Sequence, residues 1–244
     1  MELIKQLLNS LPKEPIPVGR VVVGVHWTLV SSLHGGLGST LMDDSPHGES
    51  RVRDVGILHL KSAQELAGWL LSDNLLEASI GMAALNSLLE LDEGRLTAIN
   101  AAEVIARECA GKNLVVVGHF PFVKRIGPLA RNCWVIEKHP SAGEFPQEEA
   151  RTYIPRAQVI AITGTTLINH TLEELLALCP PDAKVLLLGP STPLSLLLFQ
   201  YGISFLSGAR VIDEEAAVLT IQQAASLPQV KGVELLTMKK EDWS

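Results

Sequence analysis

The sequence predicts an α/β protein whose second half, from about Gly111 onward, is a Rossmann-like, doubly wound, mainly parallel sheet. Three observations carry this expectation. Short, continuously apolar runs recur at Leu114–Val117, Cys133–Ile136, Val159–Ile162 and Val185–Leu188. Helical segments separate them, and strands buried on both faces read as unbroken apolar runs. Each run also ends in a polar or glycine-containing tetrapeptide, as expected where strand C-termini open into a ligand crevice.

The first half has a different rhythm. Leu3, Ile4, Leu7, Leu8 and Leu11 make one apolar stripe on a short helix, which Pro12, Pro15 and Pro17 end. Val18–Val30 is rich in Val and Thr and reads as a long strand, with Leu37–Met42 returning after a tight connection at Gly35-Gly36. Residues 43–60, with Pro46 and Gly48, read as a loop. Ser62 with Glu65 forms a capping box for a helix reaching Leu71, and Asn74 caps a second helix over 75–91. Two strands followed by two helices make a small α+β unit. The expected division is therefore 1–95 for that unit and 96–244 for the Rossmann-like domain, which begins with a helix over 100–110.

Within the second half, helices are expected over 122–130, 169–178, 194–201 and 214–225. Ile203–Leu206 and Ala209–Ile212 are candidates for a fifth strand. Thr171 with Glu174 matches a capping box, and Pro193 suits a first helical position.

Composition narrows the function classes. The 244 residues are 47% hydrophobic and 19% charged, so a large core is available, and the formal net charge of -7 offers no nucleic-acid footprint. The densest basic spots, Arg51/Arg53 and Lys124/Arg125, are short. Apolar runs fall far below the roughly 20 residues of a membrane span, and the N-terminus lacks a secretory pattern. A cytoplasmic protein bound to neither nucleic acid nor membrane is expected, with an apolar content compatible with a homodimer. Cys109, Cys133 and Cys179 are scattered, so neither a zinc ribbon nor a disulfide framework is written here.

Four loops on one sheet edge carry the candidate ligand groups. Gly118-His119-Phe120-Pro121 stands where a dinucleotide fingerprint would lie but lacks the GxGxxG glycines, so classical NAD is not expected. His119 there is a base, a ligand or a backbone-satisfied imidazole. Glu137 follows the second strand about 20 residues on, where Rossmann folds hold ribose hydroxyls, or is a solvated carboxylate. Thr163, Gly164, Thr165 and Thr166 offer hydroxyls and backbone to an anionic ligand, while Asn169 serves as ligand group or helix cap. Gly189, Pro190, Ser191 and Thr192 form the fourth loop. From the first half, Asn86 is a polar break in an apolar helix that braces a loop or reaches a ligand.

The runs Ser79–Ser87, Val117–Pro121, Ile162–Thr171 and Gly189–Pro193 together resemble a bacterial and archaeal family named for putative heavy-metal chelation. The resemblance spans nearly the whole chain. It implies an enolase-N-terminal-like domain ahead of the Rossmann-like one and a site in the cleft between them. It implies a small-molecule or metal-complex ligand in heavy-metal chelation or metallocofactor handling, with a transition metal as candidate cofactor. His119 and Glu137 are the metal-ligand candidates. An enzyme for a nucleotide-like or phosphorylated ligand, or a non-catalytic interaction module, are the competing readings. Neither the residues nor the resemblance implies a reaction.

Overall fold

The computed structural model describes residues 1–42 and 51–240; Pro46 and Gly48 of the expected loop lie outside them. Helix α1, Glu2–Asn9, buries Leu3, Ile4 and Leu7 as its stripe requires. The expected long strand is instead a hairpin. Strands β1, Arg20–Val23, and β2, Trp27–Ser31, pair antiparallel, and Gly24 N–H closes the turn on Trp27 O. The Val-rich run hides that turn because Gly24 is the only turn-forming residue between Val21 and Val30. Strand β3, Gly35–Ser39, completes a three-stranded sheet.

Gly35-Gly36 therefore lies inside a strand and does not form its turn. The reason is packing. Helix α2, Ala63–Ala67, opens with the expected Ser62–Glu65 capping box. Helix α3, Leu75–Leu88, capped by Asn74, crosses β3 so closely that a Cβ on Gly36 would sit 2.1 Å from Ala83 O. The other face of the small sheet, through Val22, Leu29 and Leu37, packs on Ala217, Val218 and Ile221 of the second half.

The second half follows as helix α4, Ala101–Cys109, capped by Asn100, then strand β4, Asn113–Val117. Helix α5, Val123–Ile126, leads to β5, Asn132–Glu137, and the short β6, Phe145–Pro146. Helix α6, Ala150–Tyr153, precedes β7, Val159–Thr163. Helices α7, Thr165–Ile168, and α8, Leu172–Ala177, precede β8, Lys184–Leu188. A 3₁₀ segment, Leu196–Tyr201, leads to β9, Ile203–Val211, and helix α9, Glu214–Gln222, to β10, Val233–Lys239.

The larger sheet has the order β10-β9-β8-β7-β4-β5-β6. Every pairing is parallel except β9 with β10. The chain builds outward from β4 to β6, then returns to add β7 on the other side. Strand order thus reverses between β4 and β7, the switch point at which Rossmann-like folds bind ligands.

Alternate strand residues feed two cores. Leu114, Val116, Val159, Ala161, Leu186 and Leu188 pack with α4 and α5. Val115, Ile160, Ile162, Val185 and Leu187 pack on the opposite face. That second core also holds Leu3, Leu7, Leu66, Ile80 and Ala83 of the first half, so one hydrophobic interior runs across residues 95 and 96.

Three expectations change. The helix expected at 169–178 is shorter, Leu172–Ala177, with a separate short helix ahead of it at Thr165–Ile168, and Thr171 makes no side-chain cap; Asn169 Oδ1 instead accepts from Thr171 Oγ1 at 2.7 Å and from its N–H at 3.3 Å. Pro193 precedes the 3₁₀ segment, whose N-cap is Ser195, so it starts no helix. Strand β9 runs unbroken through Gly208, which is no breaker: its bare Cα admits Thr192 O, which would lie 2.6 Å from a Cβ.

Candidate functional site at the switch point

Strand ends Val117, Ile136, Thr163 and Leu188 form the floor of a cleft of about 1200 Å³. The volume exceeds the roughly 300–1,000 Å³ of typical small-molecule pockets. The floor is largely apolar, and polar groups enter from the four loops above it. Gly118, His119, Glu137, Thr163, Thr165, Thr166, Asn169, Gly189, Pro190 and Ser191 all line this one cleft. Lys138, Glu148, Arg151 and Glu174 add mixed charge, and Trp27, Ser39 and Leu227 also take part.

Local backbone explains the convergence. Gly118 ends β4 at φ 110°, and a Cβ there would meet Thr163 Cβ at 2.9 Å. A bare, left-handed residue is therefore required where the β4 and β7 loops touch. The threonine loop is tied to itself: Thr163 and Thr165 hydroxyls lie 3.0 Å apart, and Thr166 Oγ1 donates to Thr163 O at 2.7 Å. His170 adopts φ 64° in the following turn, and its Nε2 donates to Leu70 O at 2.7 Å, pinning this loop to the first half.

His119 donates Nδ1–H to Glu144 Oε1 at 3.2 Å. The Ser141 N–H, 2.8 Å from Oε2, and then the His119 ring hold the Glu144 carboxyl below its usual range. Sequence reading did not reach Glu144, which follows β5 in a loop without a motif. With Nδ1 committed to Glu144, Nε2 is the ring nitrogen left to face a ligand, the arrangement in which a carboxylate orients a metal-binding histidine. Glu137 Oε2 accepts the N–H of Lys138 at 3.0 Å.

Three expected residues lie elsewhere. Gly164 is buried under Thr192, whose Oγ1 would be 2.7 Å from a Cβ. Asn86 and Thr192 line a separate cavity of about 130 Å³. The first half reaches the main cleft through Trp27 and Ser39 instead. Trp27 stands out in the sequence of the first half, whereas Ser39 does not, because its place on the cleft depends on how β3 is set against the larger sheet. Ser39 N–H donates to Ser191 Oγ at 2.8 Å, and Ser191 Oγ donates to Ser39 Oγ at 2.9 Å.

Among the described residues no three His, Cys, Asp or Glu side chains cluster to hold a metal ion. The cysteines line neither cavity. Burial raises the pKa of all three, that of Cys179 to about 12, so their thiolates are suppressed. Among the described residues His119 is the one imidazole on the cleft, and the donors they place there do not fit a closed cage for a bare ion.

Fold and site together define a two-part α/β protein with a ligand-sized cleft at a Rossmann-type switch point. The chain belongs to the DUF364 family, described as putative heavy-metal chelation, which it matches over residues 100–239. Residues 4–89 match DUF4213, which carries the same description. An uncharacterised protein of Methanocaldococcus jannaschii is 26% identical over 221 residues, covering 88% of this chain and 80% of that one. A DUF364 crystal structure from Desulfitobacterium hafniense, a protein of unknown function, superimposes with a TM-score of 0.83 at 26% identity over 98% of both chains. Another, from Pyrococcus horikoshii, has a TM-score of 0.78 at 18% identity over 97% of this chain and 98% of that one, a likeness of fold alone. No helix among the described residues is long and apolar enough to cross a membrane.

Proposed function

We propose that the cleft binds a small organic molecule or a metal complex, in heavy-metal chelation or metallocofactor handling. The observation that carries this reading is the convergence of His119, Glu137, the Thr163–Thr166 hydroxyls and Ser191 on one cleft of about 1200 Å³. A single ion needs far less room. An organic chelate would lay its apolar skeleton over Val117, Ile136 and Leu188 and its oxygens against the threonines. The metal would arrive as cargo already ligated, with His119 Nε2 and Glu137 as the chain's donors to an open coordination position.

Calorimetric titration of the untagged protein tests this with two probes, free transition-metal ions and the same metals in preformed organic chelates. Chelates are expected to bind in the micromolar range and His119→Ala to weaken them about tenfold, roughly 1.4 kcal/mol. Chelates that bind no tighter than millimolar would overturn the reading.

A second reading rests on Glu137, which ends the strand next to β4, where Rossmann-like folds hold ribose hydroxyls. It makes the cleft the site of an enzyme for a nucleotide-like or phosphorylated ligand. A nucleotide present at about 100 times its Kd would stabilise the fold by roughly 2.7 kcal/mol. A thermal-shift screen flat across nucleotides and adenosyl cofactors would dismiss it.

A further inference from the structure

Behind the 189–192 loop lies the smaller cavity of about 130 Å³, walled by Leu89, Leu91, Leu194, Ala209 and Val211. Three buried side-chain atoms lack any hydrogen-bond partner within the protein: Asn86 Oδ1, Thr192 Oγ1 and Arg210 Nε. They are the only such atoms among the described residues, and all three residues line this cavity. Buried polar groups are nearly always satisfied, so three unpaired atoms converging on one cavity point to a guest.

Their orientations are held by other bonds. Asn86 Nδ2 donates to Leu37 O at 2.7 Å, and because a carbonyl accepts there, the amide oxygen must face the other way. Arg210 commits Nη1 to Glu93 and Nη2 to Glu234, and Nε is its one nitrogen without a partner. Thr192 is 2% exposed, with its N–H spent on Gly189 O.

We infer that this cavity is a second binding site, for a neutral guest of a few heavy atoms that carries both a hydrogen-bond donor and an acceptor. The guest donates to Asn86 Oδ1 and accepts from Arg210 Nε, and Thr192 can do either. An anion would confront Asn86 Oδ1 and the carboxylates flanking Arg210. A cation would confront the guanidinium. Two sources share the required chemistry, a cluster of trapped waters and a small carboxamide. A water needs about 10–15 Å³ of such space, so several fit.

The site stands apart from the reading of the main cleft, but the two share a wall. Pro190 and Ser191 line the cleft and Thr192 the cavity. The guest therefore braces the back of a ligand-binding loop.

High-resolution crystal structures of the wild-type protein, with and without an acetamide soak, test this directly. Ordered density bonded to Asn86, Thr192 and Arg210 is expected. Discrete waters that acetamide fails to displace identify water as the guest, and planar density after soaking identifies the carboxamide class. Thr192→Val, close in shape, should lose the guest position bonded to the hydroxyl while keeping the fold. A cavity without density, or one in which the three atoms pair with protein groups, would overturn the inference.

Discussion

The Ser191 hydroxyl accepts the Ser39 N–H at 2.8 Å and donates to the Ser39 hydroxyl at 2.9 Å, bridging the small sheet and the end of β8. Ser191 is 1% exposed, while Ser39 is half-buried on the wall of the main cleft. Ser191→Ala removes the acceptor of the Ser39 N–H and should cost about 1 kcal/mol, read as a lower urea midpoint with an unchanged slope. An unshifted midpoint would mean that the bridge carries no stability.

Gly118 and Gly189 separate backbone strain from steric contact. Both have positive φ, 110° and 100°, but a Cβ meets Thr163 at Gly118 and open space at Gly189. Each alanine substitution should cost roughly 1–3 kcal/mol in strain. Gly118→Ala should cost more by its contact and also distort the threonine loop. Equal losses in denaturant titrations would contradict that contact.

Gly36→Ala places a methyl 2.1 Å from Ala83 O and 2.2 Å from Ser87 N. Neither backbone atom can move without displacing α3. The loss should reach or exceed the roughly 1–3 kcal/mol of an overpacked core. Circular dichroism should show a large fall in melting temperature or no folded protein.

Glu77 is 3% exposed and accepts from Arg53 N and Nε, both at 2.9 Å, and from Ser72 Oγ at 2.6 Å. Burial pushes its carboxyl up, but the bonds from Arg53 and Ser72 outweigh that and leave it below its ordinary value of 4.5. A depressed carboxylate stabilises the fold above its unfolded pKa and loses that contribution as pH falls through the folded one. Wild-type stability should therefore drop below about pH 4.5, and Glu77→Gln should flatten the drop at a neutral-pH cost of about 1–3 kcal/mol. Parallel pH profiles for both proteins would refute the assignment.

The three cysteines should react slowly with a disulfide reagent in the native protein and rapidly in denaturant, because burial keeps their thiols protonated. A variant with all three changed to Ala should bind any metal chelate as the wild type does. Loss of binding would move the chelation site to the thiols.

Legibility in the sequence followed locality. The four parallel strands, the Ser62–Glu65 and Asn74 caps and the ring of switch-point loops depend on patterns within a few residues. The β1–β2 turn is a local feature hidden in a Val-rich run, but most of the other missed features depend on distant partners. Gly36 reads as part of a tight connection, and 203–206 and 209–212 read as separate runs, but Gly36 and Gly208 are each bare because another segment's backbone passes over them. Strand β10 carries no clean alternation, and it is held by pairing with β9 and by Thr237 Oγ1, 2.6 Å from Ser207 Oγ. Asn86 was legible as a polar break needing partners, whereas the cavity it lines depends on β9 and the 192–194 segment.

The hydrophobic interior joins Leu3, Leu7 and Ala83 to Val115 and Ile160, so parting the two halves would expose apolar surface of both at once. The halves should therefore melt together, in one cooperative transition and not in two.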